Sequence, residues 1–194
     1  KGKQASIIVG IDNGGATRMN EYNPYEFTWK DSTASKTFSA EGEAYVDFIT
    51  QTLKPFIDKN YRTLSSKDNT IIAGSSMGGV ISYYAALKYP EVYGKAGIFS
   101  PAFWTAGALK EFTDSVSKKV GAKFFFYIGG QEGEKHIQLM HEMAEKLATN
   151  SSTMIYSVVD GGGKHNEAAW HKWFTEFYIW MMADGYNNVI KLEE

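Results

Sequence analysis

The chain has 194 residues, 43% of them hydrophobic and 22% charged, with a formal net charge of -2. A polypeptide of this size can bury a core without disulfides or a structural metal, and its balanced charge excludes both a disordered chain and an electrostatic binder of nucleic acid. It has no run of about 18 apolar residues to cross a membrane, and the absence of cysteine removes thiol nucleophiles, cysteine zinc sites and disulfides together.

Lys1-Gly2-Lys3-Gln4 leads straight into an apolar stretch rather than a signal-peptide core. Residues 6–11 form a short, β-branched apolar run, the pattern of a strand buried on both faces, which ends in the turn Asp12-Asn13-Gly14-Gly15. Residues 16–40 are polar and aromatic without a sustained period and predict a long surface loop. From Glu41 to about Asn60 the residues Ala44, Tyr45, Phe48, Ile49, Thr52, Leu53, Phe56 and Ile57 recur at three and four. That spacing predicts one helix with a core-facing stripe and a bend at Pro55. Strands are then predicted over 69–74, 94–100, 123–128 and 154–159, separated by helices over 80–89, 108–120 and 137–149 and followed by a closing helix over 167–182. Such alternation predicts an α/β fold, a mostly parallel sheet with helices on both faces, in one domain over residues 1–194.

Gly74-Ser75-Ser76-Met77-Gly78 is a G-x-S-x-G sequence set between a predicted strand and a predicted helix. Two glycines let the backbone close tightly there, and the central hydroxyl projects over the helix N-terminus. Ser76 is therefore the candidate nucleophile, Ser75 makes local hydrogen bonds, and the Met77 N–H can donate to an oxyanion. The plainer alternative is a tight strand-to-helix turn.

A serine hydroxyl needs a positioned base. Of four histidines, His165 follows the last predicted strand directly, in Asp160-Gly161-Gly162-Gly163-Lys164-His165, where a glycine loop can bring an imidazole over the sheet edge. His136 and His141 lie about 500° apart around a helix, which keeps them off a common face as metal ligands, and both read as surface residues. His171 reads as a hydrogen-bonded structural histidine. The third group is expected after the penultimate strand, since the order in this kind of fold is serine, acid, histidine. Glu132 is the first choice, Glu134 the next and Asp160 the third.

With these residues placed, the sequence resembles the Putative esterase, or esterase D, family of α/β hydrolases. This family includes feruloyl and acetyl xylan esterases of carbohydrate esterase family one, enterochelin-type esterases, S-formylglutathione hydrolases and mycolyltransferases. The likeness rests on Ile8 to Gly15 with Arg18 and Glu21-Tyr22, on Ala73 to Gly79, on Phe99-Ser100-Pro101-Ala102-Phe103-Trp104, on Gly129-Gly130-Gln131-Glu132, and on Gly163-Lys164-His165-Asn166 with Trp170. It implies an α/β-hydrolase fold, a triad of Ser76, Glu132 and His165, an oxyanion donor at Met77, and a substrate cleft walled by the loops around Arg18 and Trp104. It implies no cofactor and no metal. Family members carry a further strand upstream of the segment matching residues 6–11, and its loop supplies a second oxyanion N–H. The sheet is accordingly expected to lack N-terminal strands here, with an upstream segment of the same protein, or another chain, completing it.

The expected activity is two-step hydrolysis of a carboxylic ester. The aromatic residues of the 20–27 loop and Phe103-Trp104 point to a feruloyl or acetyl ester of plant polysaccharide. A siderophore-type esterase, an acyltransferase and a non-catalytic binding domain are the alternatives. The expected partner is a small or polysaccharide-linked ester, with neither nucleic acid nor membrane, and a secreted or periplasmic location is favoured over a cytoplasmic one.

Overall fold

Five apolar segments assemble into one parallel sheet in the computed structural model, which describes residues 5–149, 152–183 and 189–193. A short hairpin, β1 (Phe27–Lys30) and β2 (Ser35–Phe38), stands apart from it. The sheet takes β3 (Ile71–Ser75), β4 (Lys95–Phe99), β5 (Lys123–Gly129), β6 (Met154–Asp160) and β7 (Val189–Glu193) in that spatial order. The helices are α1 (Arg18–Glu21), α2 (Gly42–Phe48), α3 (Lys54–Asn60), α4 (Met77–Lys88), α5 (Leu109–Val116), α6 (Glu134–Ala148) and α7 (Glu167–Met182).

Strand alternation sorts the core into two layers. Phe124, Phe126 and Ile128 of β5 pack with Val80, Tyr83, Leu109 and Met140 from α4, α5 and α6. Phe125 and Tyr127 point to the opposite face, against Trp173, Phe177 and Trp180 of α7. Every residue of β5 is buried, as a strand covered on both faces requires. The buried Lys123 ammonium donates to the carbonyls of Trp180 and Ala183, satisfying acceptors at the C-terminal end of α7.

Ser75, Phe99, Tyr127 and Val158 stand side by side in the ladder, so the chain leaves β3, β4, β5 and β6 along one edge of the sheet. An α/β sheet with helices on both faces is the expected fold. Helix α7 has the predicted bounds, and the other main-sheet strands and helices lie within a few residues of theirs.

Four local expectations are corrected. Residues 6–11 are not a strand: they run without regular structure, and Ile7 and Ile8 are 50% and 78% exposed. An apolar run reports a tendency to be covered, but a strand also needs a ladder partner, and none pairs with it among the described residues. The predicted loop over 16–40 contains α1 and the β1–β2 hairpin. The single helix from Glu41 is interrupted by a π-helical turn at Ile49–Leu53. Pro55 lies at the start of α3, and the wider turn accommodates a residue that cannot donate a helical hydrogen bond. Its buried residues include Val46, Ile49 and Thr50, whereas Phe48 and Phe56, placed in the expected stripe, are exposed. Finally, β7 was not anticipated and pairs in parallel with β6.

Candidate active site

Ser76 connects β3 to α4 with φ 58° and ψ -121°, a left-handed backbone that non-glycine residues adopt at a cost of order 1–3 kcal/mol. The surrounding structure enforces it. The Ser76 N–H donates to Phe99 O at 2.9 Å, and Ser76 O accepts from Gly79, Val80 and Ala102 N–H groups. A Cβ on Gly74 would lie 2.5 Å from Gly78 O, so this turn closes only around glycine. Met77 opens α4 with its side chain buried, and its N–H, like those of any first helical turn, has no acceptor within the helix.

Glu132 follows β5 and has a side chain only 4% exposed. Its Oε2 lies 2.7 Å from His165 Nδ1. Its Oε1 accepts from the Gly129 N–H at 2.7 Å and from Ser100 Oγ at 2.6 Å. Burial pushes the Glu132 carboxyl up, but the bonds from His165, Ser100 and Gly129 outweigh burial and hold it below the usual carboxylate range. Of the two other acids considered, Glu134 is exposed and accepts from Gln138 at 3.5 Å. Asp160 accepts from Lys172 Nζ at 3.0 Å and Trp173 Nε1 at 2.9 Å, which ties β6 to α7. Burial raises the Asp160 carboxyl as well, and the bonds from Trp173 and Lys172 bring it below its ordinary value.

His165 rides on a glycine loop packed backbone to backbone on β5: a Cβ on Gly129 would come within 2.4 Å of Gly163 C. The loop is tied down by Gln131 N–H donating to Gly163 O at 3.0 Å. The imidazole is half exposed and meets the Trp170 indole edge-on, with ring centroids 5.3 Å apart. His165 and Glu132 are thus brought together on the edge where Ser76 leaves β3, although no hydrogen bond joins Ser76 Oγ to the imidazole. Catalytic hydrogen bonds of free enzymes are often long and tighten only around substrate.

The remaining histidines depart from the sequence reading. His136 and His141 are partly buried rather than on the surface; His136 Nδ1 lies 2.9 Å from Glu132 O. His171, expected to be structural, is exposed on α7.

Trp104 lies in the turn after β4, 46% exposed, with its ring edge-on to Phe27 at 5.9 Å; Phe27 stacks on Phe38 at 4.9 Å. The β1–β2 hairpin and the Trp104 turn therefore share one aromatic surface. The Arg18 guanidinium sits 5.2 Å above the Tyr22 ring. Sequence reasoning missed Asn23, which is fully buried and donates through Nδ2 to Thr105 O at 3.3 Å. Its own carbonyl accepts from the Gly42 N–H at 2.9 Å, clamping the loop before the hairpin between α2 and the Trp104 turn. Ser100 was named only within the motif from Phe99 to Trp104, with no role of its own. Its signal was a polar residue ending a buried strand beside the serine turn. Among the described residues no cluster of acids and histidines could hold a metal ion, and no helix is long and apolar enough to cross a membrane.

A Bacillus subtilis protein named "Uncharacterized protein YbbA" is 27% identical over 186 residues, covering 89% of this chain and 70% of that protein. An endo-1,4-beta-xylanase/feruloyl esterase of Xylanibacter ruminicola is 33% identical over 69 residues, covering 36% of this chain but 10% of the relative. Among solved structures, the BES protein from Bacillus cereus superposes with a TM-score of 0.73 at 16% identity, covering 90% of this chain and 68% of that one. The enterobactin esterase FES from Shigella flexneri gives 0.61 at 22% identity, covering 72% of this chain and 38% of FES. The chain therefore spans well under half the length of that esterase, and at these identities the structural likeness establishes the fold. Residues 2–181 match the family described as Putative esterase, and the chain, with its α/β-hydrolase fold, belongs to that family.

Proposed function

We propose that this chain forms the catalytic core of a serine carboxylic ester hydrolase, with Ser76 as nucleophile, His165 as base and Glu132 as the acid that orients it. The observation that carries the reading is the 2.7 Å contact between His165 Nδ1 and the buried Glu132 carboxylate, on the edge where Ser76 occupies a left-handed turn. Ser76 Oγ attacks the ester carbonyl while its proton passes to His165 Nε2; the oxyanion takes the Met77 N–H. Collapse breaks the bond to the alcohol, which leaves with the proton from His165. Water, deprotonated by the same nitrogen, then attacks the acyl-enzyme and releases the acid and free Ser76.

The substrate class that fits best is an ester with an aromatic acyl group, of which a feruloyl ester of plant polysaccharide is the leading member. The exposed Trp104 beside Phe27 and Phe38 offers a face for ring stacking, and the Xylanibacter relative carries feruloyl esterase in its name. Arg18, partly buried above Tyr22, is the cationic group assigned to the same cleft by this reading. The second oxyanion donor comes from an additional strand, from the same protein or another chain, paired on the outer edge of β3. Among the described residues β3 has a strand neighbour on one side only.

The test takes the natural full-length protein, labels it with a fluorophosphonate and maps the adduct, then assays methyl ferulate, p-nitrophenyl acetate and a feruloylated xylan fragment. Expected are an adduct on Ser76 and the highest kcat/KM on the feruloyl esters. Preference for acetate replaces the aromatic acyl assignment with an acetyl one, activity confined to catecholate siderophore esters favours that alternative, and no label on Ser76 leaves a non-catalytic binding domain.

A further inference from the structure

Glu132 makes more bonds than an orienting carboxylate needs. Its Oε2 serves His165 alone, while its Oε1 is held by the Gly129 N–H and by Ser100 Oγ. Ser100 in turn lies 2.8 Å from Trp170 Nε1, and Trp170 packs its ring edge against the imidazole that Glu132 holds. We propose that Ser100 and Trp170 are positioning residues: a one-way chain of hydrogen bonds from the Trp170 indole through the Ser100 hydroxyl fixes the Glu132 carboxylate and, through it, the tautomer of His165. This inference rests on the catalytic reading above for its kinetic consequence, but not for the network itself.

The direction of the chain follows from donor chemistry. An indole N–H can only donate, so Ser100 Oγ accepts from Trp170 and its single proton has one remaining destination, Glu132 Oε1. Oε1 then accepts two donors, an arrangement suited to an ionised carboxylate. With Glu132 ionised, Nδ1 of His165 carries the proton in the short contact to Oε2, and the Nε2 lone pair is the one presented toward the Ser76 turn. A Glu132 free to rotate would offer either oxygen and would tolerate the other tautomer.

The backbone indicates that this placement is enforced. Ser100 is 1% exposed and is the one other non-glycine residue, besides Ser76, with positive φ among the described residues, at 42°. Its N–H donates to Tyr127 O at 2.6 Å, continuing the β4–β5 ladder by one residue so that the side chain turns toward Glu132. Neither the strain nor the burial of a hydroxyl is required to end a strand; both are required to bring Oγ to a carboxylate 32 residues away. The titratable groups facing Glu132 are His165 from the glycine loop, the Tyr127 phenol of β5, with Asp160 of β6 beyond it, and His136, which reaches the Glu132 carbonyl rather than its carboxylate.

Two variants test the proposal. Ser100→Gly removes the hydroxyl while suiting the backbone at φ 42°, and Trp170→Phe keeps a ring against His165 but removes the N–H. With ester substrate, kcat should fall about 10-fold in Ser100→Gly and about 3-fold in Trp170→Phe at unchanged KM, with the acidic limb of the kcat/KM profile moved to higher pH as Glu132 loses a donor. The Glu132 side-chain carboxyl, followed by carbon NMR, should titrate at higher pH in Ser100→Gly than in the parent, a readout that needs no activity. An unmoved Glu132 titration, or Ser100→Gly with parental kcat and pH profile, overturns the positioning role. A shifted titration in a protein that never labels at Ser76 sustains the network and overturns the catalytic reading instead.

Discussion

The proposed acid–base half and the proposed nucleophile half of the site are built on opposite kinds of strand. Glu132 follows β5, which is paired on both sides and wholly buried, and every oxygen of its carboxylate has a donor. Ser76 follows β3, which ends the sheet among the described residues and is only partly buried, close in sequence to the exposed Phe56 of α3 and to the exposed Tyr61 just beyond it. Precision in such a site comes from the neighbours of the supporting strand. The carboxylate inherits order from the core, whereas Ser76 depends on hydrogen bonds of its own turn to Phe99 and Ala102.

The largest expected effect lies on the nucleophile side. Ser76→Ala should lower kcat for ester hydrolysis at least about 10⁴-fold with little change in thermal stability; retention of more than a few per cent of activity would place the nucleophile elsewhere. The contrast between strands can then be broken by matched truncations followed by denaturant unfolding. Phe125→Ala, in the layer against α7, should cost about 3–5 kcal/mol. Ile71→Ala, on the partly buried β3, should cost about 1 kcal/mol. Equal costs would mean that β3 is held as firmly as the centre of the sheet.

Smaller effects sharpen the picture. Trp104→Ala should raise KM for methyl ferulate about 5-fold while barely changing that for p-nitrophenyl acetate, and a uniform change on both esters would remove Trp104 from recognition of the ring. The mildest effect is on pH dependence. The folded-state carboxyl of Glu132 sits below its ordinary value, so its stabilising bonds are fully present above the usual carboxylate range and are lost as pH falls through the lowered value. Denaturant midpoints measured from neutral pH down toward pH 3 should therefore decline more steeply for the parent than for Glu132→Gln; parallel curves would show that the carboxylate contributes nothing on folding.

What could be read from the sequence follows the same division. The strands β4, β5 and β6 were legible because each is a continuous apolar run closed by glycine, proline or a charged loop. Helix α7 was placed at its observed bounds, and the structure adds its cap, Asn166 accepting from the Ala169 N–H at 3.0 Å. Chain order and loop position put Glu132 first among three acids, ahead of Glu134 and Asp160, as the partner of His165, and the two side chains lie 2.7 Å apart. Residues 6–11 misled because apolar, β-branched composition cannot say whether a partner strand is at hand. The β1–β2 hairpin was hidden because its stabilising pairs, Phe27 with Phe38 and Thr28 with Thr37, act across strands and leave no periodic trace along the chain. Ser100 and Trp170 were legible as motif residues, but their contact was not, being made across 70 residues.

The left-handed turn at Ser76 carries a consequence for evolvability. At φ 58° and ψ -121°, glycine is the residue that fits without strain, so a population of variants sorted only for resistance to heat should enrich Ser76→Gly, erasing the hydroxyl while improving the scaffold. Engineering this chain for robustness therefore calls for selection on turnover in every round, since at this position durability and the proposed chemistry pull in opposite directions.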